Sequence, residues 1–177
     1  MQRIREKELD WPGKIVSALK ANDISSISFV PDAVIGKILT IADKDPYFHV
    51  TTLAREEEGI GIITGEYFGG RYGVLMMQSA GLGNCVNALA SLAIPYQIPF
   101  LILISQRGEL GEFNACHMVM GKAIRSILDA LGIQHCTLDR EDSVDLVLNG
   151  AIKTAYSSDQ PVAVILSTAL VGWKDEK

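Results

Sequence analysis

Arg55-Glu56-Glu57-Glu58-Gly59-Ile60-Gly61-Ile62-Ile63-Thr64-Gly65-Glu66-Tyr67-Phe68-Gly69-Gly70-Arg71-Tyr72-Gly73-Val74-Leu75-Met76-Met77-Gln78-Ser79-Ala80-Gly81-Leu82-Gly83-Asn84 is the stretch that decides the fold. Three acids open an apolar helical run, Ile60 to Phe68, which Gly69-Gly70 ends. Val74-Leu75-Met76-Met77 is a continuous apolar run, as in a strand buried on both faces. The small residues from Gln78 to Asn84 then read as a turn feeding the next helix. In an open α/β sheet, both the acids and this turn fall at the carboxyl ends of strands, where ligands bind. A carboxylate at one helix mouth and a backbone able to approach closely suit a buried ligand.

The same alternation continues in both directions. Upstream, a helix over 11–21 starts at Asp10 with Pro12 in its first turn, and a strand follows over 24–30. Asp32 caps a helix over 33–42, and a strand runs over 48–53. Downstream come a helix over 83–94, a continuous apolar strand over 100–105, and a long glycine-rich loop over 106–121. Helix 123–131, strand 134–138, helix 143–156 and strand 162–167 complete the pattern, and the tail after Ser167 reads as a surface segment. Six strands alternating with six helices predict an α/β fold. It is a single three-layer domain, core about 11–167, with a mainly parallel six-stranded sheet and helices on both faces.

Composition narrows the function classes. Almost half of the 177 residues are apolar and a fifth are charged, as in ordinary globular proteins. The net charge of -5 leaves no basic footprint for nucleic acid. The longest apolar run, Ala93 to Ile104, is too short and too interrupted to span a membrane, and the N-terminus lacks the apolar core of a signal peptide. Cys85, Cys116 and Cys136 have no Cys-x-x-Cys spacing, so reduced thiols packed as small apolar filler, and a cytoplasmic location, are expected. The three histidines share no metal-binding spacing with them, and no metal ligands are expected in this chain. His49 and His135 fall in strands as packed or edge residues.

Several positions carry chemistry. Carboxylates in a first helical turn are favoured by the backbone dipole, so Glu56, Glu57 and Glu58 have a purely structural reading as well as a functional one. Gly81 and Gly83 allow close approach to a ligand, and Asn84 can cap the helix after them. The segment is neither a Walker loop nor a full dinucleotide fingerprint. Arg107 follows a buried strand and has the planar donor fork that suits an anionic group, with a solvated loop arginine as the plain alternative. Asn114 lies in the same loop, and His117 there can relay a proton near neutral pH.

Together, Glu57-Glu58-Gly59, Gly65-Glu66-Tyr67, Met77 to Asn84, Val30-Pro31-Asp32 and Arg107-Gly108-Glu109-Leu110-Gly111 resemble the pyrimidine-binding domain of thiamine-diphosphate enzymes, within the sulfopyruvate and phosphonopyruvate decarboxylase group. The resemblance covers Trp11 to Ser167. It implies that Glu57 hydrogen-bonds a ring nitrogen of the aminopyrimidine, promoting the tautomer that deprotonates the thiazolium carbon. It implies cofactor contacts from Pro31, Asp32, Gln78, Ser79, Gly81, Gly83 and Asn84, and substrate contacts from Arg107 and Asn114. Family members hold magnesium and diphosphate with Gly-Asp-Gly followed by Asn-Asn, and this chain contains neither. A beta subunit is therefore expected to carry that half of the site, in a hetero-oligomer acting on a small 2-oxoacid. Two other readings stand beside it: a non-catalytic module binding a nucleotide or phosphate at Gly81-Gly83, and an architectural subunit that has lost its chemistry.

Overall fold

The computed structural model describes residues 10–172. Six strands form one sheet: β1 (Ile24–Phe29), β2 (His49–Thr52), β3 (Tyr72–Gln78), β4 (Leu101–Ser105), β5 (His135–Leu138) and β6 (Val162–Leu166). Their order is β2-β1-β3-β4-β6-β5, and every neighbouring pair is parallel. Helices α1 (Trp11–Ala21), α2 (Ile35–Ala42), α3 (Glu56–Phe68), α4 (Ser79–Ala88), α5 (Ala115–Ala130), α6 (Val144–Ser158) and α7 (Thr168–Val171) complete the set.

The period of two along the strands sorts their side chains into two cores. Val74, Met76, Leu101, Leu103, Val162 and Val164 face α1, α2 and α6, among Ile15, Leu19, Ile38 and Leu148. Leu75, Met77, Ile102, Ile104, Ala163 and Ile165 face α3, α4 and α5, among Ile60, Ile63, Leu82 and Leu128. Both faces of β3, β4 and β6 are therefore apolar, as the unbroken runs of sequence require. The outer strands β2 and β5 are only partly covered, and His49 and His135 lie on them, as expected of edge residues.

Helix starts follow local chemistry. The Asp10 side chain accepts from Gly13 N at 3.2 Å and Pro12 occupies the first turn, so α1 begins where expected. Asp32 Oδ1 accepts from Val34 N at 2.8 Å and Ile35 N at 3.4 Å, so its capping role holds, with α2 starting two residues later than predicted.

Three expectations are corrected. Ser79 to Asn84 is not a turn: α4 begins at Ser79, directly off β3, and Gly81 and Gly83 sit inside it. A π-helical segment, Leu89–Ala93, extends α4 to the sharp stop before Pro95. The 106–121 loop is half helix, because the Asn114 side chain accepts from Cys116 N and starts α5 eight residues early. Gly121 permits this: a Cβ there would lie 1.8 Å from Arg107 O, so only glycine lets α5 pass so close to the end of β4. The stretch after Ser167 is not a surface tail up to Gly172; it forms α7, with Leu170 buried, and residues 173–177 lie outside the described residues.

Candidate functional site

The sheet reverses its winding between β1 and β3, with β2 on one side and β4 on the other. Ligand crevices of open α/β sheets form outside the carboxyl ends of strands at such a reversal. Val30-Pro31-Asp32 follows β1 there and Gln78-Ser79 closes β3 there, while the start of α3 flanks them after β2.

The three acids at the start of α3 divide into three different roles. Glu58 turns back on the chain: its Oε2 accepts from Ala54 N at 3.0 Å and Arg55 N at 3.4 Å, half of a capping box. Glu56 is 7% exposed and points into α4. Asn84 Nδ2 donates to its Oε2 at 2.8 Å, and Gly81 makes room, since a Cβ there would lie 2.6 Å from Glu56 Oε1. Glu57 lies between the two. Its Oε1 pairs with Arg55 Nε at 2.8 Å, while its Oε2 is buried without a hydrogen-bond partner. A buried acceptor left unpaired costs free energy comparable to a lost hydrogen bond, so a donor reaching Oε2 would be favoured there. Gly59 brings α3 down onto the sheet, because a Cβ there would meet Leu75 Cδ1 at 2.5 Å and Leu53 Cδ1 at 2.8 Å. The small residue after the acids is thus explained by packing on the sheet.

Asn84 therefore does not cap α4, as the sequence suggested, but satisfies Glu56. Gly81 and Gly83 do not form a phosphate cradle either. Gly81 is pressed on a carboxylate, and a Cβ at Gly83 would touch Met120 Cε of α5 at 3.1 Å. An acid in that position repels a phosphate and weighs against the phosphate-module reading. Gln78 Oε1, at the end of β3, is a second buried acceptor without a partner.

Hydroxyls stitch the strand ends together. Ser79 Oγ donates to Ser105 O at 3.2 Å and accepts from Arg107 N at 2.9 Å, and Ser105 Oγ donates to Asp32 Oδ1 at 3.0 Å. This chain of bonds ties β1, β3 and β4 at the crevice rim. Pro31 is exposed beside it.

Arg107 is not a solvated loop arginine. It is 9% exposed, and its Nε and Nη2 pair with both oxygens of Glu112 at 2.7 and 2.8 Å. Glu112 also accepts from Gly108 N at 3.2 Å and Asn114 N at 3.1 Å. The Arg107 hydrogen bonds, followed by the backbone donors, hold its carboxyl down at about 2. His117 is half-buried in the first turn of α5 rather than in a loop, with its backbone N donating to Asn114 O. Cys85 is buried, and desolvation pushes its thiol up to about 12. Cys136 is partly buried and Cys116 is exposed, so filler describes the first of the three best and Cys116 not at all. No cluster of three or more His, Cys, Asp or Glu suited to a metal ion occurs among the described residues. Nor is any helix among them long and apolar enough to cross a membrane.

One functional candidate, Glu112, escaped the sequence, and the separate role of Glu56 was not legible in it. Glu112 had a signal, an acid five residues after Arg107 with glycines at 108 and 111 to fold the chain back. Glu56 is a sequence candidate together with Glu57 and Glu58, but three adjacent glutamates look alike until the rotation of α3 is known.

No protein-family model matches the chain. The alpha subunit of sulfopyruvate decarboxylase from Methanococcus maripaludis is 32% identical over 92% of this chain and 96% of its own length. The alpha subunit from Methanocaldococcus jannaschii is 34% identical over 85% and 89%. Phosphonopyruvate decarboxylase from Streptomyces viridochromogenes is 29% identical over 65% of this chain and 29% of its own length. Among solved structures, the 2-oxoglutarate:ferredoxin oxidoreductase from Magnetococcus marinus matches the fold with a TM-score of 0.68 at 13% identity, over 91% of this chain and 29% of that one. With alpha subunits of a single enzyme aligned over nearly their whole length, this chain belongs to the sulfopyruvate decarboxylase alpha-subunit family.

Proposed function

We propose that the chain is the alpha subunit of a thiamine-diphosphate-dependent decarboxylase that converts sulfopyruvate to sulfoacetaldehyde and carbon dioxide. In that reaction the bond between the carboxylate carbon and the keto carbon breaks, carbon dioxide leaves, and a proton takes its place. Thiamine diphosphate, when bound, supplies the electron sink for this step. Phosphonopyruvate is the alternative substrate, supported by the more distant relatives.

The observation that carries the reading is the divided carboxylate of Glu57, one oxygen held by Arg55 and the other buried and unpaired. A ring nitrogen of an aminopyrimidine, when protonated, is a donor of the kind Oε2 lacks. Glu57 accepts that hydrogen bond and shares the proton. Gln78 Oε1 offers a second unpaired acceptor for an amino group. Pro31 and Asp32 after β1 line the same crevice. Ser79, Gly81, Gly83 and Asn84 act as its frame, bracing strand ends and orienting Glu56. Arg107 and Asn114 face the anionic tail of the substrate, and His117 delivers the proton to the product.

The missing Gly-Asp-Gly and Asn-Asn leave the diphosphate and magnesium to a beta subunit, so activity requires both chains. Coexpression with a partner encoding those motifs, followed by a sulfopyruvate decarboxylation assay with wild type and Glu57→Gln, tests the reading. Glu57→Gln should lower kcat by about a hundredfold or more, in line with loss of a positioned acid–base group. Full activity in that variant would remove Glu57 from the mechanism.

A further inference from the structure

The pair Arg107–Glu112 closes a ring that the reaction itself does not require. Between the two residues the chain reverses through Gly108 and Gly111, both at positive φ, where glycine is favoured. Gly108 also lies under the first turn of α5, where a Cβ would sit 2.9 Å from His117 O. Glu112 gathers four donors at once: Arg107 Nε and Nη2, Gly108 N and Asn114 N. Its side chain is 6% exposed. Asn114, tied to Glu112 through its backbone, is the residue whose side chain starts α5.

One carboxylate thus fixes both the guanidinium at the end of β4 and the helix start that carries His117. Arg107, Glu112 and Phe113 line a cleft whose other wall is Val34 together with Thr168 and Val171. That second wall is itself tied down, because Glu109 Oε2 accepts from Thr168 N at 2.7 Å. A fork gripped at Nε and Nη2 keeps Nη1 in one direction, as an unpaired arginine would not.

We infer that Glu112 is a positioning residue for substrate: it holds Arg107 and the start of α5 in fixed orientation along this cleft, which receives the anionic tail of the 2-oxoacid. The inference rests on the decarboxylase reading above. Glu112 neutralises most of the Arg107 charge, so this chain recognises the tail by direction more than by net charge. It also removes from Arg107 the freedom to follow tails of different length.

The test uses the complex of this chain with its partner. Glu112→Gln keeps the size and one acceptor oxygen but removes the charge, and Glu112→Asp keeps the charge but shortens the reach. Glu112→Gln should raise KM for sulfopyruvate by about tenfold, since misplacement of a positioning group weakens substrate more than it alters the chemical step. Affinity for thiamine diphosphate, measured by calorimetry, should stay within about twofold, because Glu57 and Gln78 are untouched. Glu112→Asp should fall between wild type and Gln. Amide exchange over 108–118 should quicken in the same order, as local opening becomes easier.

An unchanged KM in Glu112→Gln overturns the inference. So does an equal loss of substrate and cofactor affinity, which signals general damage. If the wild-type complex does not decarboxylate sulfopyruvate, the functional reading fails instead. Exchange over 108–118 then still decides whether Glu112 holds the strap, and unchanged exchange overturns that too.

Discussion

Adjacent acids of one type take unlike roles because a helix rotates each residue by about 100° relative to the last. Glu58 faces back along the chain and caps, Glu56 faces α4, and Glu57 pairs with Arg55 through one oxygen and leaves the other buried and unpaired. The fit between Glu56 and α4 leaves no slack. Gly81→Ala places a methyl on the Glu56 carboxylate and should destabilise the chain by about 1–3 kcal/mol, the usual range for overpacking. Urea unfolding of the purified variant measures this directly. A midpoint equal to that of wild type would mean that Glu56 swings aside freely and that its bond to Asn84 is dispensable.

At the scale of elements, the strap from Arg107 to Asn114 joins a strand end to a helix start through one buried ion pair. Such a pair contributes stability with a definite sign in pH. The folded carboxyl of Glu112 lies at about 2, below the ordinary 4.5. Its contribution is therefore fully present above the unfolded value and is lost as pH falls through the folded one. Thermal unfolding of wild type and Glu112→Gln should differ at pH 5 to 7, and the difference should shrink between pH 4.5 and 2. A gap in Tm that stays constant across that range would show that the pair does not stabilise the fold through ionisation. The starts of α1 and α2 depend on simpler chemistry, a side-chain oxygen meeting a free amide at Asp10 and Asp32.

For the whole molecule, the all-parallel sheet puts Asp32, the start of α3, Gln78 and Arg107 at one edge, the carboxyl ends of its strands. That edge offers unpaired acceptors at Glu57 and Gln78 and, among the described residues, no metal-holding cluster. An isolated chain should therefore bind thiamine diphosphate weakly and without dependence on magnesium. Mixing with the partner subunit should bring tight, magnesium-dependent binding, read by calorimetry with and without chelator. Tight magnesium-dependent binding by this chain alone would contradict a shared site.

The sequence alone determined the layers and most of the elements. Unbroken apolar runs such as Phe100 to Ser105 must be buried on both faces, and Asp10 with Pro12 sets a helix start whatever lies around it. The Glu-x-Gly spacing also singled out Glu57 from its neighbours by resemblance. Other features depended on contacts between residues far apart in the chain. Gly81 and Gly83 read as a turn because glycine disfavours helix, yet α4 runs through them since Glu56 and Met120 occupy the space that side chains would need. The early start of α5 depends on Gly121 passing the Arg107 carbonyl. Local propensity is written into neighbouring residues, whereas which of three glutamates keeps an empty acceptor is settled only by what packs against each one.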